Sequence, residues 1–179
     1  MSASRPDTSQ ELLDVVDVSG RVVGRATREE VHRDGRLHRA VHLLVWHPDG
    51  RLLLQKRSAS KACCPGLWDV SVGGHVAAGE DGLDAVLREC FEELGIRLSA
   101  RDLEPLGRHL FDQDSLDPEL VDSWGTFHGG PFAPDPVEVE DVAWFTREEA
   151  DSLLENGLAT PHFALQWDLD LRSRTSFPP

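Results

Sequence analysis

Alternation of apolar and polar residues divides the chain into short strand-like runs separated by turn-forming residues, with one strongly helical stretch near the middle. The β-branched runs Glu11 to Val18 and Arg21 to Thr27 flank Ser19-Gly20, which predicts a hairpin. A short helix is expected over Arg28 to Arg33. His38 to His47 and Arg51 to Arg57 flank Pro48-Asp49-Gly50, whose turn chemistry predicts a second hairpin. Ser58 to Leu67 reads as a loop, Trp68 to Val72 as a short strand entering Gly73-Gly74, and residues 75 to 82 as a Gly- and Ala-rich loop. Strands are predicted over Leu103 to Phe111, Leu120 to Phe127 and Val137 to Phe145. An acidic loop with Asp112, Asp114, Asp117 and Glu119 separates the first two, and Gly129 to Pro136 forms a Pro/Gly loop before the third. Thr146 with Glu149 three residues on opens a capped helix to about Glu155, and Pro161 to Leu169 forms a last helix before a fraying tail. Residues 1 to 10 read as a disordered lead. Residues 11 to 179 read as a single domain with an N-terminal β-hairpin extension. Strands and helices in this mixed order predict an α/β (α+β) fold, a mixed β-sheet packed by helices.

The helical stretch runs from Leu83 to Leu94 and stops at Gly95. On a wheel of about 100° per residue, Leu83, Val86, Leu87, Cys90, Phe91 and Leu94 form the core face. Glu89, Glu92 and Glu93 fall on another side at i, i+3 and i+4, so their carboxylates are neighbours. Each like-charge pair destabilises an exposed helix by roughly 0.2–0.5 kcal/mol. Glu92 and Glu93 also sit where the helix dipole disfavours anions. Converging carboxylates suit a hard divalent cation, which takes oxygen ligands from carboxylates, water and substrate phosphate. The residues alone leave open a simpler reading, a solvated acidic face.

Composition bears on that choice. Lys and Arg number 18 against 32 Asp and Glu, a net charge of −14. This balance argues against a nucleic-acid binder, which needs a basic surface, and against docking on an anionic membrane. It suits cation gathering as well as plain solubility. Cys63, Cys64 and Cys90 are the three cysteines, odd in number and without zinc-site spacing, so they read as free thiols used for packing. The polar N-terminus and the lack of a membrane-length apolar run point to a cytoplasmic protein.

The residues around the glutamates carry more information. Gly74 is followed after five residues by Glu80, then after seven by Arg88, Glu89, Cys90, Phe91, Glu92, Glu93, Leu94, Gly95 and Ile96. This stretch, 74 to 96, resembles the Nudix box over its whole length. The resemblance implies the Nudix fold, a mixed sheet sandwiched between helices, and hydrolysis of a diphosphate linked to another moiety, usually with Mg²⁺ or Mn²⁺. It implies that Glu92 and Glu93 are metal ligands and that Glu89 is a further ligand or the base. The Gly73 carbonyl would complete the shell, and Arg88 and Glu80 would pair to brace the loop. Glu138, Glu140, Asp112 and Asp114 are alternative bases.

A second resemblance covers His38 to Asp69. Leu37-His38-Arg39-Ala40, Leu52 to Gln55, Arg57, Lys61 and Pro65 to Trp68 are similar to the isopentenyl-diphosphate isomerase branch of the superfamily and to a bacterial hydrolase subgroup near it. Arg57 and Lys61 match positions that hold the substrate diphosphate there, a task suited to two cations flanking a phosphate. With Gly74 they are the candidate substrate-binding residues. His32, His38 and His75 resemble the isomerase's metal-binding histidines, the first spacing being one residue short. Three departures count against an isomerase. Gly73 stands where that enzyme has its catalytic Cys, all the box glutamates are kept, and Val121 to Ser123 offers Asp122 but no glutamate. The other alternative is a catalytically silent diphosphate-binding module, which a complete box disfavours. The partner expected is a small-molecule diphosphate. Trp124, Phe127, Phe132 and Trp144 are candidates to line its organic part, and the N-terminal strands could pair in a homodimer.

Overall fold

The computed structural model describes residues 8–61, 63–112 and 117–171. Most of the expected lead, residues 1–7, lies outside the described residues, as do Asp114 and the end of the tail, while Thr8–Gln10 forms a single 3-10 turn.

Among the described residues, nine strands form one mixed sheet. They are β1 (Leu12–Val16), β2 (Val22–Thr27), β3 (His38–Trp46), β4 (Leu52–Arg57), β5 (Trp68–Asp69), β6 (Val72–His75), β7 (Glu104–Phe111), β8 (Glu119–Phe127) and β9 (Val139–Phe145). The helices are α1 (Arg28–Asp34), α2 (Gly82–Leu94), α3 (Arg147–Glu155) and α4 (Pro161–Gln166). β3 is the hub. It runs parallel to β8 along its whole length, antiparallel to β6 through Ala40–His75 to Leu43–Val72, and touches β1 and β4 at its two ends. The β1–β2 hairpin forms as predicted, with β2 at the edge and Val22 and Val23 exposed.

Alternation along β3 supplies two cores. Val41, Leu43 and Val45 pack with Val86, Cys90 and Leu94 of α2. Leu44 and Trp46 pack on the opposite face with Ala150 and Leu153 of α3 and with Phe163 and Trp167 at the chain's end. The sheet is therefore sandwiched between helices, the expected architecture.

Local differences from the sequence reading have identifiable causes. The strand predicted over Trp68 to Val72 is two strands, and Gly73, Gly74 and His75 belong to the second rather than to a loop. The chain changes partners there, since β5 pairs with β4 and β6 with β3. Buried Ser71 joins the two neighbours at the step. It accepts from the Val45 N–H at 2.8 Å and donates to the Leu53 carbonyl at 2.5 Å. The last helix begins at Thr160, whose hydroxyl accepts from the Phe163 N–H, but Trp167–Leu171 continues as a π-helix. On α2 the buried arc is rotated toward the glutamates. Phe91 is 43% exposed beneath the Arg97 guanidinium, while Ala85 and Glu93 are buried. Burying a carboxylate in place of a phenyl ring opposes stability unless partners compensate it.

Candidate functional site

α2 starts at Asp81, whose side chain accepts from the Leu83 N–H, and ends at Gly95 in the left-handed conformation. It packs across β6, and this contact creates the site. A Cβ placed on Gly74 would lie 2.1 Å from the Glu89 carboxyl carbon, so only glycine lets that carboxylate rest against the strand backbone. Glu93 accepts from the Gly73 N–H at 3.1 Å and from Gln55 Nε2 at 2.9 Å. Burial, with the neighbouring Glu89 charge, pushes the Glu93 carboxyl up to about 8, and burial also raises Glu89. Glu92 lies at the rim, its side chain 35% exposed.

Arg88 is the organising cation. Its Nε and Nη2 take both oxygens of Glu80 at 2.9 Å, Nη2 also donates to the His75 carbonyl at 3.1 Å, and Nη1 reaches Glu89 at 2.7 Å. The Glu80–Arg88 brace expected from the sequence is therefore present, and it also seats Glu89. Burial tends to raise Glu80, but the Arg88 bond and the Ala77 N–H hold it below its ordinary value.

These residues form one wall of an 810 Å³ cavity that Arg57 and Lys61 also line. Arg57 donates from Nε to the Cys63 carbonyl at 3.1 Å and from Nη1 to Asp69 at 3.0 Å. Lys61 pairs with Glu138, which places that candidate base at the cavity. The other candidate bases fare differently. Glu140 pairs with Lys56 at 2.8 Å and does not line the cavity, and Asp112 is exposed away from it. The aromatic candidates are also corrected. Trp124, Phe132 and Trp144 pack against the α2 core, Phe127 lies beside Trp46, and none lines the cavity.

A second donor set stands at the same cavity, which its His32, His75 and Glu119 line. His32, His38 and His75 bring ring nitrogens within 4.8 Å of one another. The Arg36 carbonyl takes the His38 Nδ1–H at 2.9 Å, which turns Nε2 toward Glu119. That nitrogen is fully buried, has no hydrogen-bond partner among the described residues, and faces Glu119 Oε1 at 3.6 Å. His75 Nε2 stands 3.5 Å from the same oxygen, and His162 Nε2 stands 3.3 Å from Glu119 Oε2. Burial lowers His75 to about 4, favouring the neutral ligand form. Glu119 is held well below its usual range because the surrounding imidazoles outweigh its burial. Three imidazoles converging beside a buried carboxylate inside the protein are a donor set that suits a cation.

Glu119 and His162 were not identified from the sequence. The isomerase resemblance points to a glutamate near Val121 to Ser123, whereas the parallel register sets Glu119 opposite His38. Asp122 is instead held by Arg108 at 2.5 and 2.8 Å. His162 carries no local signal, because α4 reaches the cavity only through the tertiary fold. Cys63 and Cys64 also differ from the expectation of packing residues, since Cys63 is exposed and both line the cavity. Cys90 alone is a core thiol.

Comparison with known proteins gives a consistent picture. The family model described as the NUDIX domain matches residues 36–165. An uncharacterized Nudix hydrolase of Yersinia pestis is 33% identical over 153 residues, covering 83% of this chain and 80% of that one. One from Streptomyces coelicolor is 37% identical over 137 residues, covering 76% and 74%. Among solved structures, the DR0079 protein of Deinococcus radiodurans superposes with a TM-score of 0.70 at 29% identity, covering 84% of this chain and 92% of that one.

Proposed function

The chain belongs to the NUDIX family and is a hydrolase of acid anhydrides, and from that premise we propose that it cleaves the diphosphate linkage of a small organic diphosphate by divalent-cation-activated water. One observation carries the reading: Glu89 and Glu93 are buried side by side on the Gly73-Gly74 backbone. Burial raises the proton affinity of both, and the Glu89 charge adds to it at Glu93, so a cation is what allows both to be ionised. Glu89, Glu92 and Glu93, with the Gly73 carbonyl, would hold Mg²⁺ or Mn²⁺. Such an ion supplies charge neutralisation and lowers the pKa of bound water. Arg88 and Glu80 are positioning residues that aim Glu89. Arg57 and Lys61 would take the diphosphate, each now resting on a carboxylate that the substrate would replace. Gly74 leaves room for the carboxylate and for close approach of the phosphate.

The His32, His38, His75 and Glu119 set would hold a second divalent cation on the same cavity, on the strength of the buried His38 Nε2, which has no hydrogen-bond partner among the described residues. The isomerase alternative is not favoured. Gly73 offers no thiol, and the glutamate set is complete.

The test is phosphorus NMR of the purified protein with Mg²⁺ or Mn²⁺ against nucleoside diphosphate derivatives, dinucleoside polyphosphates and isopentenyl diphosphate. Cation-dependent cleavage lost in Glu92→Gln/Glu93→Gln is the expected result. A migrated double bond with the diphosphate intact would establish an isomerase instead. Diphosphate binding with no turnover across the panel would favour a silent module.

A further inference from the structure

The loop from β4 to β5 holds a feature that hydrolysis does not use. Cys63 and Cys64 place their sulfur atoms 3.3 Å apart. That is closer than the ~3.5–4.0 Å optimum of even the smaller carbon atoms. Cys64 has φ +51°, and among the described residues it is the only non-glycine in the left-handed region. Such an outlier stores backbone strain and is maintained only where its surroundings fix it. Here the surroundings include Arg57. Its Nε donates to the Cys63 carbonyl at 3.1 Å, and its own carbonyl accepts from the Gly66 N–H at 3.0 Å. The peptide carrying the two thiols is thus tied directly to a cavity cation.

We propose that Cys63 and Cys64 are an oxidation site, closed to a vicinal disulfide by a hydroperoxide, and that closure releases Arg57 from the Cys63 carbonyl. Cys63 is the exposed thiol and attacks first. Its thiolate takes one oxygen of the peroxide, the O–O bond breaks, and the alcohol or water leaves, giving a sulfenic acid. The Cys64 thiol then displaces that hydroxyl as water and forms the S–S bond. In sum, two thiols lose two electrons and two protons, and the peroxide is reduced to alcohol plus water. Burial pushes the Cys64 thiol up to about 11, which suits a resolving rather than an attacking role. Cys90 is buried in the α2 core with its thiol pushed up to about 12, and it stays out of the reaction.

The geometry makes the bond reversible. Adjacent Cα atoms are about 3.8 Å apart, whereas disulfides usually span about 4.4–6.8 Å between Cα atoms, so a vicinal bridge is strained and readily reduced. Drawing the sulfurs together to about 2.05 Å turns the intervening peptide. That turn takes the Cys63 carbonyl off the Arg57 guanidinium.

The test uses the full chain, treated with hydrogen peroxide and then with dithiothreitol. Thiol titration after unfolding is expected to fall from three groups to one and recover. Peptide mass spectrometry should show two hydrogens lost within the segment holding Cys63 and Cys64. Cys63→Ser should keep both of its thiols at the same dose, and Cys64→Ser should stop at a sulfenic acid trapped by dimedone. Three persistent thiols, or bridges between chains, would overturn the site. The Arg57 Nε–H resonance, assigned by its absence in Arg57→Lys, should shift on oxidation and return on reduction. An unmoved resonance beside a formed bridge would overturn the coupling. The consequence for ligand binding rests on the hydrolase reading. Affinity for methylenediphosphonate with Mg²⁺ should fall about three- to tenfold on oxidation, as for one weakened charged hydrogen bond. If the reduced protein does not bind this probe, the hydrolase reading fails, while the thiol and resonance results still decide the oxidation site.

Discussion

Replacing Glu93 by Gln offers a direct measure of the cation's role. In the cation-free protein the Glu93 carboxyl titrates at about 8 instead of 4.5, because it is 6% exposed and faces Glu89. The folded state therefore holds this proton more tightly than the unfolded chain. The stability linked to it is fully present below the unfolded value and is lost as the pH rises through the folded one. At about 1.4 kcal/mol per pH unit, the loss between pH 4.5 and 8 is on the order of 5 kcal/mol. For a chain of this length that is a fall in Tm of roughly 10 °C. Glu89, raised in the same sense, adds to the fall. Thermal unfolding of chelator-treated protein between pH 4.5 and 8.5 should show the wild type losing roughly 10 °C more than Glu93→Gln. Magnesium should restore the wild type at pH 8 and do little for the variant. Calorimetry in two buffers near pH 7 should detect proton release on binding. Parallel pH profiles of the two proteins would refute the claim that burial holds this carboxyl protonated until a cation arrives.

Other outcomes follow from the same geometry. Gly74→Ala should expel Glu89 from the strand, cutting turnover by at least tenfold while Tm changes little, because the displaced atoms end a flexible side chain; steady-state kinetics beside a melting curve separates the two effects. Arg57→Ala and Lys61→Ala should raise KM for the substrate more than they lower kcat, as expected for groups that bind the diphosphate rather than act on water. His75→Ala and Glu119→Ala should each remove one equivalent of bound Mn²⁺ measured by equilibrium dialysis, leaving the glutamate-bound ion in place. Thr146→Ala removes the hydroxyl that accepts from the Glu149 N–H and should lower stability by about 1 kcal/mol in chemical unfolding.

The sequence made the chemistry on α2 legible because it is local. Glu80, Arg88 and the three glutamates lie within one loop and one helix, and helical spacing alone makes the carboxylates neighbours. The hairpins were legible for the same reason, since Ser19-Gly20 and Pro48-Asp49-Gly50 specify turns. What escaped depends on contacts between distant segments. Glu119 joins the histidines through the parallel β3–β8 register, and His162 joins them from the far end of the chain. His42 rests on Gln166, 124 residues away. The rotation of α2 also escaped, because a wheel ranks Phe91 as core, whereas the space against β6 is reserved for carboxylates by Gly73 and Gly74.

The two-sided use of β3 restricts how this protein can diverge. Its odd-numbered residues Val41, Leu43 and Val45 are committed to α2, and its even-numbered residues to the other face, His38 beside Glu119, His42 at the cavity and Leu44 and Trp46 in the second core. A single inserted or deleted residue inside the strand would exchange the two sets, placing imidazoles among the leucines and leucines among the ligands. Length changes should therefore be purged from β3 and tolerated in the 58–67 loop. Related chains that have taken up new substrates are expected to differ there first, with the central strand inherited at constant length.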